Sequence, residues 1–159
     1  MQKYTIKMKI IFLDFDGVIT TPKSAWKIDN NKCLLIKEIC DKTGAKIVIS
    51  SSRRHRTVEE TIKQNYLEDW ILKDYVVGVT ISLMIDPAKF EFEDRYCDNF
   101  LIRGNEIDYY IKNHNIENYV ILDDYSDEIL DIQKKHLVQT HSYEGISEKD
   151  VQKAINILS

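Results

Sequence analysis

Lys9-Ile10-Ile11-Phe12-Leu13-Asp14-Phe15-Asp16-Gly17 decides the fold: four apolar side chains run straight into two carboxylates and a glycine. An unbroken apolar run, rather than an alternating one, suits a strand covered on both faces, as in a parallel sheet. The same unit recurs twice. Lys46-Ile47-Val48-Ile49 leads into Ser50-Ser51-Ser52, and Tyr119-Val120-Ile121-Leu122 leads into Asp123-Asp124. Weaker strand signals lie at Val76 to Ile85, around Val77-Gly78-Val79, and at Leu137-Val138-Gln139-Thr140.

Helical periodicity fills the intervals. Asn31 to Thr43 carries Leu34, Leu35, Ile39 and Cys40 and is closed by Gly44, a glycine placed for a C-cap. Thr57 to Asn65 opens on Thr-x-x-Glu, a capping box. Asn105 to His114, Ser126 to His136, and a last segment opened by Ser147 and running through Val151, Ala154, Ile155 and Leu158 complete the set. Strands alternating with helices predict an open, mostly parallel α/β sheet in a three-layer α/β/α, Rossmann-like arrangement. The sequence has neither linker nor internal repeat, so a single domain over residues 1–159 is expected. Ligands in such sheets bind at the carboxyl ends of the strands, where all three polar clusters fall.

The composition is that of a water-soluble chain, 43% hydrophobic and 30% charged. A net charge of −4 argues against a general nucleic-acid-binding surface while leaving room for a local basic site. Lys7 and Lys9 interrupt the apolar N-terminal stretch, and no small-residue cleavage site follows, so it reads as a strand rather than a signal peptide. A cytoplasmic location without membrane partners is expected. Cys33, Cys40 and Cys97 lack metal-ligand spacing and read as reduced structural thiols, with Cys33 and Cys40 one helical repeat apart in the core.

Each polar cluster has a chemical reading beside a plain one. Asp14 and Asp16, just past a buried strand, repel each other unless a cation or proton intervenes. Mg²⁺, which prefers oxygen ligands, would serve, and Gly17 lets the backbone approach a ligand. A carboxylate beside a metal can attack phosphorus, while a second can donate and retrieve a proton. An Asp-Gly turn is the plain alternative. Ser50 to Arg56 supplies hydroxyls and then cations, suited to a phosphoryl group, Arg54 among them; a solvated basic loop is the alternative. Asp123, Asp124 and Asp127 would complete a metal site, or simply cap a helix. Arg103 offers a fixed cation, or a surface charge.

The order of these features distinguishes the readings. DFDGVIT, a serine after the second strand, Arg103 in RGNEI and VILDDYSD resemble the four motifs of the haloacid dehalogenase superfamily, over roughly Ile10 to Thr140. ISSSRR, RGNEI, VILDD and VQTHSYEGIS are similar, more narrowly, to the phosphatase-like domains associated with RNA-repair proteins. The resemblance implies Asp14 as nucleophile and Asp16 as general acid/base, its carbonyl also on Mg²⁺. It implies Ser50 or Ser51 on the phosphate, and Asp124 as direct metal ligand supported by Asp123 and Asp127. Arg103 stands where the superfamily more often has lysine, and Arg53 where the narrower group has tryptophan; arginine's forked donors bind differently from a lysine's.

The intervals between motifs leave no room for a large cap domain. Thr20 to Asn30, with Pro22 and Trp26, reads as a flap, and Asp86 to Cys97 as a second candidate lid; a packed role is preferred for Trp26 over stacking on a substrate base. An uncapped site favours large phosphorylated substrates such as nucleic-acid ends, with Arg53, Arg54 and Arg56 near the phosphate backbone. The alternatives are a small-molecule phosphatase covered by a partner subunit, a catalytically silent domain of this fold, and a receiver-like domain. The last needs an aspartate where the second strand here ends in serines.

Overall fold

The computed structural model describes residues 7–82 and 102–159. Five strands, β1 (Lys9–Leu13), β2 (Lys46–Ile49), β3 (Val76–Val79), β4 (Asn118–Asp123) and β5 (Leu137–Gln139), form one sheet in the order β3-β2-β1-β4-β5. Every pairing is parallel, with Ile11 opposite Ile47 on one side and Val120 on the other. The apolar runs therefore occupy central strands, as their lack of alternation requires.

Because successive side chains of a strand point to opposite faces, each apolar run feeds two cores. Ile11, Leu13, Ile47, Ile49, Val120 and Leu122 point to the face covered by helices α1 (Asn30–Thr43) and α4 (Glu148–Leu158). Ile10, Phe12, Val48 and Ile121 point the other way, to Ile107 and Tyr110 of helix α3 (Ile102–His114). Phe12 meets Tyr110 and Tyr119 edge-on, each at 5.8 Å between ring centroids. Burying one such side chain contributes about 1.5–3 kcal/mol, so these two faces dominate the fold's stability. The result is the expected three-layer α/β/α, Rossmann-like architecture, and the described residues include no large cap domain.

Local signals set the helix ends. The Asp29 carboxylate accepts from the Asn31 amide before α1, and Gly44, at φ +78°, returns its N–H to Cys40 O. Thr57 caps α2 (Val58–Gln64), accepting from the Glu60 amide. Ser147 and Asp150 form a reciprocal capping box at α4. Among the described residues, no helix is long and apolar enough to cross a membrane.

Two expectations fail. Strand β3 stops at Val79 instead of continuing toward Ile85, whose last residues lie outside the described ones. Ser126 to His136 is not an α-helix but a turn followed by a 3₁₀ segment at Asp131–His136. Its polar groups are committed to α3: Glu128 O accepts from Gly104 N at 2.8 Å, and Gln133 Nε2 donates to Gly104 O at 2.9 Å. Gly104 permits this approach, since a Cβ there would lie 2.7 Å from Leu130 N. Cys33 and Cys40 are buried as expected; Cys97 and the Asp86–Cys97 lid fall outside the described residues.

Candidate active site

The sheet's hydrogen-bond ladder runs one residue past its strands. Asp14 N donates to Leu122 O, Ser50 N to Leu13 O, Thr80 N to Ile49 O and Thr140 N to Asp123 O, each at 3.0 Å. Asp14, Ser50, Thr80 and Thr140 thus stand level along the carboxyl edge. Beyond Asp14 the chain folds tightly around Phe15, whose carbonyl accepts from the amides of Val18, Ile19 and Thr20. Phe15 is fully buried and meets Trp70 edge-on at 5.5 Å, which anchors the turn in the core.

Asp14, Asp123 and Asp124 bring carboxylate oxygens within 4.8 Å of one another, the set that could hold a metal ion among the described residues. Arg103, near the start of α3, lies between two of them, with Nη1 3.1 Å from Asp14 Oδ1 and 2.8 Å from Asp123 Oδ2. Burial raises the pKa of Asp14 although Arg103 opposes it. Burial, reinforced by the Asp14 charge, pushes Asp123 up to about 7. Burial also works against the charge of Arg103, but the two carboxylates outweigh it and hold the guanidinium protonated. Ionised together, the three carboxylates against one guanidinium would leave two negative charges, which a divalent cation would neutralise; an all-oxygen donor set suits Mg²⁺. Gly17, at φ +84°, gives Asp124 its place, since a Cβ there would lie 2.2 Å from Asp124 Oδ2.

Asp16 stands apart from this cluster. Its carboxylate accepts from Thr20 Oγ1 at 2.6 Å, and from Arg53 through Nη2 at 2.6 Å and Nε at 3.3 Å. Burial resists ionisation of Asp16, but these donors together hold its carboxyl below the usual range. Arg53 Nη2 also donates to Trp26 O at 3.0 Å, tying the flap to Asp16.

The remaining candidates divide. Ser50 and Ser51 are buried; Ser50 Oγ and its neighbour Thr80 Oγ1 have no hydrogen-bond partner among the described residues, while Ser51 Oγ accepts from Arg53 N. Ser52 rather than either neighbour lines the cleft over Asp14, whose volume is about 210 Å³. Arg54, expected on the phosphate, is placed outside that lining. It donates to Ser51 O, Thr80 O and Ile81 O and pairs with buried Glu106 at 2.6 Å, bracing the ends of β2 and β3. Asp127 is exposed and lies outside the carboxylate cluster, where its carboxylate raises the pKa of the Tyr125 hydroxyl. Trp26, expected to pack, is instead 47% exposed and lines the cleft with Tyr125. Sequence reasoning missed the clamp of Arg53 on Asp16; its signal is only an arginine where the resembling group has tryptophan.

Residues 10–151 match the family described as the HAD domain in Swiss Army Knife RNA repair proteins. The chain belongs to this family. The matched span of the HAD domain runs from β1 into α4 and includes every candidate residue above. A comparison with curated proteins returned no match.

Proposed function

We propose that the chain is a Mg²⁺-dependent phosphomonoester hydrolase that works through a phospho-aspartate on Asp14. The observation that carries the reading is the position of Asp14, which shares Arg103 with Asp123 inside a three-carboxylate cluster at the carboxyl edge of the sheet. Family membership supports a HAD-type phosphohydrolase.

An Asp14 oxygen attacks phosphorus, the bond from phosphorus to the leaving oxygen breaks, and Asp16 donates its proton to that oxygen. Asp16 then takes a proton from water, whose oxygen attacks phosphorus and releases Asp14 and inorganic phosphate. Arg53 keeps Asp16 ionised while paired with it, so it must loosen before the acid is ready. Ser50 Oγ, buried at the level of Asp14 without a hydrogen-bond partner among the described residues, and Ser52, which lines the cleft, are donors for a phosphoryl oxygen. Arg103 offsets negative charge on Asp14 and on the transferring group. Asp14, Asp123 and Asp124 would hold Mg²⁺, which would supply positive charge against the phosphoryl oxygens.

The cleft is smaller than the roughly 300–1,000 Å³ of pockets that engulf whole small molecules. It suits a phosphoryl group at the end of something larger, and a phosphorylated nucleic-acid end fits both this shape and the family's description. The test is phosphate release with and without Mg²⁺ from an aryl phosphate, nucleotides and end-phosphorylated oligonucleotides. Release that needs Mg²⁺ and disappears in Asp14→Asn supports the reading. Release that survives Asp14→Asn overturns it.

A further inference from the structure

We infer that Trp26 and Tyr125 form a stacking subsite for the nucleobase next to the scissile phosphate. This rests on the phosphohydrolase reading above and names what its substrate carries.

Trp26 is 47% exposed and Tyr125 53% exposed, yet both line the cleft that holds Asp14, Asp16 and Asp124. Two large rings left in water beside a small polar cleft invite a flat apolar group. Trp26 is held there at a cost. Ala25 and Trp26 sit consecutively at φ +53° and +61°, a left-handed conformation that residues with a Cβ avoid. The turn is fixed by Trp26 N to Thr21 O at 2.9 Å, Ser24 Oγ to Lys27 O at 2.7 Å, and Arg53 Nη2 to Trp26 O. Backbone strain of this kind, kept at a cleft by specific hydrogen bonds, points to function.

The third rim residue, Glu128, chooses among flat groups. Its carboxylate accepts from amino or imino N–H groups and repels an acidic peptide. A nucleobase brings a π-face and such donors together. Because Arg53 bonds both Trp26 O and Asp16, a base settling on Trp26 also bears on the group that holds the general acid.

The experiment compares kcat/KM for glycerol phosphate, mononucleotides and end-phosphorylated oligonucleotides in the wild type, Trp26→Ala, Trp26→Phe and Tyr125→Ala. Tyr66→Ala, a change at an 88% exposed ring on another loop, is the control. We expect base-bearing substrates to be preferred, and the preference to fall about tenfold in each alanine variant, chiefly through KM. Trp26→Phe, which keeps a ring, should retain most of it, and Tyr66→Ala all of it. The better of the two base-bearing substrates tells whether the base comes from a free nucleotide or a strand end. A preference unchanged in both alanine variants, or absent from the wild type, overturns the subsite.

Fluorescence separates this from failure of the hydrolase reading. Trp70 is buried, so quenching by a mononucleotide that vanishes in Trp26→Phe reports stacking whether or not phosphate is released. Quenching without turnover removes the hydrolase and supports the subsite. Turnover with neither quenching nor base preference does the reverse.

Discussion

Gly17 lies directly beneath Asp124: a Cβ added to it would sit 2.2 Å from Asp124 Oδ2 and 2.3 Å from Asp124 Cγ. The glycine of the first motif thus has two jobs, adopting φ +84° and leaving room for a carboxylate from another strand end. Gly17→Ala should displace Asp124 and weaken Mg²⁺ binding by tenfold or more. The left-handed backbone alone costs about 1–2 kcal/mol with a Cβ present. Calorimetric titration of Mg²⁺ and a thermal melt measure the two effects. Wild-type affinity in Gly17→Ala would refute the placement of Asp124.

Arg103 stands between Asp14 and Asp123, where removing it leaves two buried carboxylates facing each other. Arg103→Met should destabilise the fold by about 3–5 kcal/mol, the usual cost of stripping one partner from a buried pair. Adding Asp123→Asn should recover part of that loss, because the two effects share a partner and cannot add. Denaturant melts of the three variants check this, and strict additivity would contradict it.

Neighbouring arginines should fail in different ways. Arg54 is buried against Glu106 and holds three carbonyls, so Arg54→Ala should cost several kcal/mol of stability. Arg53 pairs with half-exposed Asp16 and bonds Trp26 O, so its loss should cost under about 1 kcal/mol while impairing turnover by leaving Asp16 and Trp26 unpositioned. Melting temperature against kcat across the two variants reads the contrast. Equal destabilisation would disprove it.

Burial pushes the Cys33 thiol up to about 11 and the Cys40 thiol up to about 12, so both stay protonated in the native state. At pH 8 neither should alkylate until the protein unfolds, as peptide mapping would show. Above the unfolded value near 9 the unfolded chain loses protons that the native state keeps, so stability falls as pH rises from about 9 toward 11.

The strands were legible because Ile10–Leu13, Ile47–Ile49 and Val120–Leu122 lack alternation, and burial on both faces is the physical reason for that pattern. Ser126 to His136 misled, since its helix-compatible residues turn their polar groups toward Gly104, a tertiary demand that overrides local propensity. Asp14, Asp123 and Asp124 could be placed from their strand ends alone. The division of labour between Arg53 and Arg54 could not, because one step along an irregular turn decides which guanidinium meets Asp16 and which meets Glu106. The exposure of Trp26 was equally hidden. It depends on two left-handed residues without a glycine among them, and no sequence pattern announces those.

The central claim is that phosphate passes through Asp14, and trapping tests it most directly. With an aryl phosphate, whose leaving oxygen departs without a general acid, Asp16→Asn, which removes the base that activates water, should stall after the first step. Incubation with Mg²⁺ and a turned-over substrate should then leave one phosphoryl adduct in the intact mass, on the peptide containing Asp14, and removable by hydroxylamine. An adduct elsewhere, or continued turnover by Asp14→Asn, would contradict the account.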